Sequence, residues 1–140
     1  MRKSIIMAAF AAALTLASCK STTASLSNSN YSLADKSYTL VELNGTALEK
    51  VSETPTITFT KDRVNATVGC NQIFAEFSEQ GGGKITFGTG GMTRMMCPDV
   101  KREQEFVQAF NSVASYQVNA QGTEVTFFDK DGKALFKAKK

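Results

Sequence analysis

Thr56-Ile57-Thr58-Phe59-Thr60, then Lys61-Asp62, then Arg63 through Val68, is the stretch that decides the fold class. Polar and apolar residues alternate with period two, which gives a strand one buried and one wet face. Lys61-Asp62 reads as a tight turn between two such strands. The same pattern continues on both sides. Upstream, Tyr38 to Leu43 is rich in aromatic and branched residues and stops at Asn44-Gly45, a strong turn signal. Downstream, Ile73 to Phe77 alternates, Gly81-Gly82-Gly83 interrupts, and Lys84 to Phe87 resumes. The glycine triplet lacks the spacing and the Lys-Ser/Thr ending of a phosphate-binding loop. It is read as a hairpin loop.

One segment switches to helical spacing. Pro98 suits a first helical position and Asp99 suits the positive end of a helix dipole. Val100, Glu103, Phe106, Val107, Phe110, Val113 and Ala114 follow at intervals of three and four. Phe106, Phe110 and Val113 form the expected buried stripe, a core feature and not a cofactor box. Strands return at Tyr116–Asn119, Glu124–Phe128 and Ala134–Ala138, punctuated by Gln121-Gly122 and by Asp129-Lys130-Asp131-Gly132. Seven or eight short strands and one late helix predict an α+β domain, with the helix covering a curved antiparallel sheet. There is no internal repeat.

The N-terminus has a different character. Arg2 and Lys3 precede an uncharged, mostly apolar run from Ile5 to Ala17. That run is shorter than the roughly 20 residues a membrane span needs, and it fits the apolar region of an export signal. It ends in Leu16-Ala17-Ser18-Cys19, which resembles the lipobox of bacterial lipoproteins. By that resemblance, residues 1–18 are removed and Cys19 carries acyl chains, which hold a protein stably when there are two or more. The competing reading is an ordinary signal with an incidental cysteine. Lys20 to Lys36 is rich in serine, threonine and asparagine and reads as a flexible tether. In an alternative, Tyr31 and Leu33 pack onto the domain as a lead-in. The expected division is 1–18 signal, 19–36 lipidated cysteine and tether, and 37–140 folded domain.

Setting aside Arg2 and Lys3 takes the basic count from 16 to 14 against 13 acidic residues, a net of +1. This argues little for nucleic acid. The chain has no histidine and no tryptophan. Triads built on histidine and the usual zinc sites are therefore absent. The carboxylates read as solvated charges on turns and wet strand faces, and Glu103 and Glu105 do not share a helix face. No catalytic residue and no metal ligand set is assigned.

Cys70 and Cys97 are the remaining thiols, an even pair in an exported chain, so a disulfide is the default. Two alternatives stay open. Cys97 next to a helix start, near Arg94, has the setting of a reactive thiolate. Met92, Met95, Met96, Cys70 and Cys97 form a soft-sulfur set suited to Cu(I). In the competing view the methionines fill core gaps, with the adjacent Met95 and Met96 on opposite sides of a strand.

Gly69-Cys70-Asn71-Gln72-Ile73-Phe74-Ala75-Glu76-Phe77, coupled to Met92-Thr93-Arg94-Met95-Met96-Cys97, resembles the paired signature of the META domain, also called HslJ-like. The late helix and closing hairpin fit as well, and the resemblance covers about Tyr38 to Lys137. It implies a strongly curved, partly closed antiparallel half-barrel packed against one helix. It also implies a bacterial envelope lipoprotein, linked in some members to heat shock, antibiotic tolerance, secretion or motility, with no established catalytic activity. Many members begin the first strand with tryptophan, where this chain has Tyr38. The motif residues Gly69, Cys70, Asn71, Thr93, Arg94, Met95, Met96 and Cys97 are expected to serve structure, with Gly69 and Asn71 accommodating left-handed backbone. The expectation is a monomeric, non-catalytic envelope module without cofactor. It is held to the membrane by its lipid and binds an unknown envelope protein or ligand through a sheet face or the barrel mouth. Lys20 after the acylated cysteine favours the outer membrane. The alternative function is thiol-redox or Cu(I) chemistry at Cys70 and Cys97.

Overall fold

The computed structural model describes residues 30–49 and 52–140. The expected signal, Cys19 and the expected tether as far as Ser29 lie outside the described residues. The elements run β1 (Lys36–Leu43), β2 (Thr46–Ala47), β3 (Thr56–Phe59), β4 (Arg63–Thr67), β5 (Gln72–Gly81), β6 (Lys84–Met92), α1 (Val100–Asn111), β7 (Ser115–Val118), β8 (Glu124–Phe128) and β9 (Ala134–Lys139). Every strand pair is antiparallel. The expected curved sheet with one late helix is present. Pairing of β1 with β9 closes eight strands into a barrel, with β2 a short flap on the outer side of β1. Closure removes sheet edges wherever neighbouring strands pair.

The closure is uneven. β5 and β6 pair along most of their length, with a shift in register between Ala75 and Phe77. β6 and β7 share one residue pair, Lys84 with Ser115. The helix, which connects these two strands, covers the gap at Phe87 and leaves a cavity beside Gly90–Met92. Its Phe110 ring lies 4.5 Å from Phe87, and its Phe106 ring lies 5.3 Å from Phe136. Phe136 stacks on Phe127 at 4.7 Å, and Phe59 meets Phe77 at 5.1 Å. The period-two residues Ile57, Phe59, Val64, Ala66, Ile73 and Ala75 point inward beneath this aromatic chain. Burial of rings this large dominates the stability of so small a core.

Three local expectations change. The helix starts at Val100, with Asp99 as its N-cap accepting from the Arg102 amide, so Pro98 stands before the cap. A side-chain oxygen at the cap satisfies an amide that proline would merely lack. Val113 is buried as expected, but it lies past the C-cap Ser112, whose amide bonds back to Ala109 and Phe110. The last residues of the expected tether belong to the folded unit, as in the alternative that read Tyr31 and Leu33 as a packed lead-in. Leu33 is fully buried and Tyr31 packs against the core.

Candidate functional site

β4, β5, β6 and α1 meet at one end of the barrel, and the signature residues gather there. Gly69 has φ 133, a backbone that side-chain-bearing residues rarely adopt. Asn71 does not follow the expectation, since its φ is not positive. Its work is hydrogen bonding. Oδ1 accepts from the Met95 amide at 2.8 Å and from the Thr93 hydroxyl at 3.0 Å. Nδ2 donates to Glu103 Oε2 at 2.8 Å and reaches the Met95 carbonyl at 3.3 Å. Its backbone amide donates to Glu103 Oε1 at 2.8 Å. Thr93 Oγ1 in turn accepts from the Gln72 amide at 2.9 Å. One asparagine therefore pins the start of β5, the segment after β6 and the first turn of α1. Buried polar groups need such partners, and here they find them in each other.

The sulfurs of Cys70 and Cys97 are bonded, with Cα atoms 6.0 Å apart. The crosslink fastens the strand end to the helix start and places both sulfurs beside Asn71, whose Nδ2 lies 3.0 Å from Cys97 Sγ. Cys70, Cys97 and Glu103 bring their ligand atoms within 4.8 Å of one another. A bonded sulfur pair offers no thiolate, so a metal there would require prior reduction.

Glu103 corrects the view of the carboxylates as solvated. It is buried on the same helix stripe as Phe106 and Phe110, and it meets no cation among the described residues. Two backbone and amide donors from Asn71 stand in for the missing charge partner. Glu79 breaks the expectation at the opposite end of β5. It extends the inward-facing series of Ile73, Ala75 and Phe77. Its Oε1 accepts from the Leu33 amide at 2.9 Å and the Tyr116 hydroxyl at 2.6 Å, and its Oε2 accepts from Ser32 at 2.7 Å. Tyr31 and Tyr38 share a 2.8 Å hydrogen bond beside it. Burial, then the neighbouring hydroxyl or carboxylate, pushes Tyr38 and Tyr116 far above the usual phenol range.

Outside the Asn71 hub the surface mixes exposed apolar side chains with Arg94, Gln104, Gln108 and Asn111. Met92, Met95, Met96, Phe74 and Val100 are large hydrophobic side chains left exposed, and Met96 is completely so. Met95 and Met96 sit in an irregular segment and not in a strand, because the Asn71 and disulfide contacts hold both ends of it. They fill no core gap. Two adjoining cavities separate this surface from the helix. One, of about 450 Å³, is lined by Asn71, Met92, Met95, Val100 and Val107. The other, of about 260 Å³, lies between Gly90–Met92 and Val107, Phe110 and Asn111. Arg94 borders both and forms no ion pair among the described residues. Phe74 and the β6 glycines were not singled out from sequence. The cross-strand pairing of Phe74 with Gly91 is the signal that would have found them, because a side chain at Gly91 would fall within 2.7 Å of the Phe74 ring.

Three solved structures share the fold. A protein from Burkholderia xenovorans, solved by NMR, is 24% identical with a TM-score of 0.60, covering 77% of this chain and 83% of that one. A second NMR structure is 20% identical with a TM-score of 0.57, covering 75% and 88%. A DUF4847 family protein from Bacteroides vulgatus is 14% identical with a TM-score of 0.58, covering 76% and 93%. Among curated proteins none matches. The META domain model matches residues 31–140, from the tyrosine of the lead-in to the last residue. The chain belongs to the META domain family.

Proposed function

We propose that this META domain is a non-catalytic binding module of the bacterial envelope, carried on a lipid at Cys19 and linked to envelope stress or resistance. The groove between β6 and α1 is its recognition surface. The observation that carries this reading is the distribution of exposed apolar side chains. Phe74, Met92, Met95 and Val100 lie around a groove on which Arg94 is the one cation among the described residues, and the exposed Met96 follows Met95. Contiguous apolar surface of this kind marks interaction sites, and flexible methionines adapt to varied partners. The polar groups of Asn71 and Thr93 are occupied in holding the loop that displays it, which leaves Arg94 as the signature's outward charge. The anchor rests on Leu16-Ala17-Ser18-Cys19, and Lys20 favours the outer membrane. No helix among the described residues is long and apolar enough to cross a membrane.

The test is photocrosslinking in cells from a reactive residue placed at Val107, compared with one at Lys61 on the opposite turn. Discrete envelope adducts from Val107 alone are expected. Equal adducts from both positions, or turnover of a substrate by the purified protein, would remove the reading.

A further inference from the structure

We propose that the outer edge of β6, from Gly90 to Met92, takes up an extended peptide segment of a partner protein by adding it as a strand. Apolar side chains on one face of that segment would seat against Met92 and Val107, and an acidic residue would meet Arg94. The inference deepens the binding function above and rests on it.

On one side β6 is bonded to β5. On the other it pairs with β7 only at Lys84, supplemented by the Ile85 amide donating to Ala114. Beyond that point its outer side has no strand partner among the described residues. The direction of the backbone groups follows from one bond. The Thr93 amide donates to the Gln72 carbonyl, toward β5. Peptide groups alternate sides along an antiparallel strand, so Met92 and Gly90 turn theirs away from β5. They have no backbone partner among the described residues. The same stretch, Gly90 to Met92, lines the cavity facing Val107, Phe110 and Asn111.

The sequence keeps this edge bare. Gly88, Gly90 and Gly91 place no side chain over the backbone. At Gly90 a Cβ would collide with the Phe74 carbonyl, so glycine is required there by β5 itself. An open edge is a template for another strand unless charge, proline or a covering element blunts it. Here the helix stands off by the width of a cavity. Arg94 is the nearby charge. An acyl chain would fill the apolar walls but could not satisfy outward amide and carbonyl groups, whereas a peptide in extended form would do both. The uncompensated guanidinium selects a segment that brings a carboxylate.

Amide exchange in the full chain, purified from membranes in detergent, tests the premise directly. The Met92 and Gly90 amides should exchange on the order of 100-fold faster than those of Gly91 and Thr93. The probe is a phage-displayed library of linear eight-residue peptides, with the best binder synthesised. Selected sequences should alternate apolar residues with period two and carry an acidic residue. Binding should slow the Met92 and Gly90 amides at least about tenfold. Met92→Pro, which removes an outward donor, should weaken binding by about tenfold or more relative to Met92→Ala, which keeps it. Arg94→Glu should reverse the charge preference. Protection of Met92 in the free protein would overturn the proposal even if the proline variant does not fold. So would selected peptides with helical spacing, binding that leaves these amides fast, or protection that appears only with rising protein concentration, the mark of a second copy. Envelope crosslinks from Val107 alongside any of those results would leave the binding function standing and strand addition lost.

Discussion

Each end of the barrel is fastened through a carboxylate that meets no cation among the described residues, yet the two ends are built on different bonds. At the signature end, Glu103 is held by Asn71, and a disulfide runs beside the pair. At the far end, Glu79 is held by Tyr116, Ser32 and the Leu33 amide, so the chain's own lead-in closes the barrel. The first arrangement is covalent and supports an apolar surface turned outward. The second is made of hydrogen bonds and one buried leucine, and it faces inward. The difference shows how one fold keeps a display surface rigid with few apolar contacts, while an ordinary core secures the other end.

Removing the disulfide should produce the largest change. Cys70→Ala with Cys97→Ala opens a 27-residue separation and should cost about 3.5 kcal/mol on the chain-entropy account. The measurement is the denaturant midpoint against the oxidised parent. An unchanged midpoint would mean that the Asn71 hub alone holds this end. Next, Asn71→Ala should cost about 3 kcal/mol, because it strands a buried carboxylate. Leu33→Ala at the far end should cost about 2.5 kcal/mol by cavity formation. If the order of these two were reversed, the contrast between the ends would fail. The smallest effect belongs to pH. Tyr38 and Tyr116 are raised above their ordinary 10.0 by burial. Their stabilising contribution is therefore whole below pH about 10 and declines as pH rises above it, where the unfolded phenols ionise first. Thermal melts should be level to about pH 9.5 and then fall, with a shallower fall in Tyr116→Phe. All three tyrosines of the chain lie in this cluster, so phenolate absorbance reports on this end alone. Early ionisation of Tyr38 and Tyr116 would dissolve the far-end network.

The strands were legible because Ile57, Phe59, Val64, Ala66, Ile73 and Ala75 recur with period two, and one-sided burial leaves that mark on any strand. The helix showed itself through Phe106 and Phe110. The disulfide was legible from cysteine count and the expected export of the chain, although neither fixes geometry. Glu103 and Glu79 were not legible. A buried carboxylate depends on donors far away in sequence, Asn71 for one and Leu33 and Tyr116 for the other. A carboxylate on an apolar stripe is the only trace it leaves. The exposed methionines misled for a related reason. Composition marks Met92, Met95 and Met96 as core fillers, and only the tethering of their segment by Asn71 and Cys97 turns them outward.

The lead-in and the last residue meet at the far end. Tyr31 reaches the Gly122 carbonyl, and the Lys140 amide bonds to Thr123 next to it. The domain is thus nearly a ring. A short linker from Lys140 to Asn30, with new ends cut at Asp131-Gly132, yields a circular permutant with the same strand neighbours. For anything genetically fused at Lys140, the result is spatial: the cargo emerges beside the entering chain, a full barrel length from the β6 groove, and leaves that groove unobstructed.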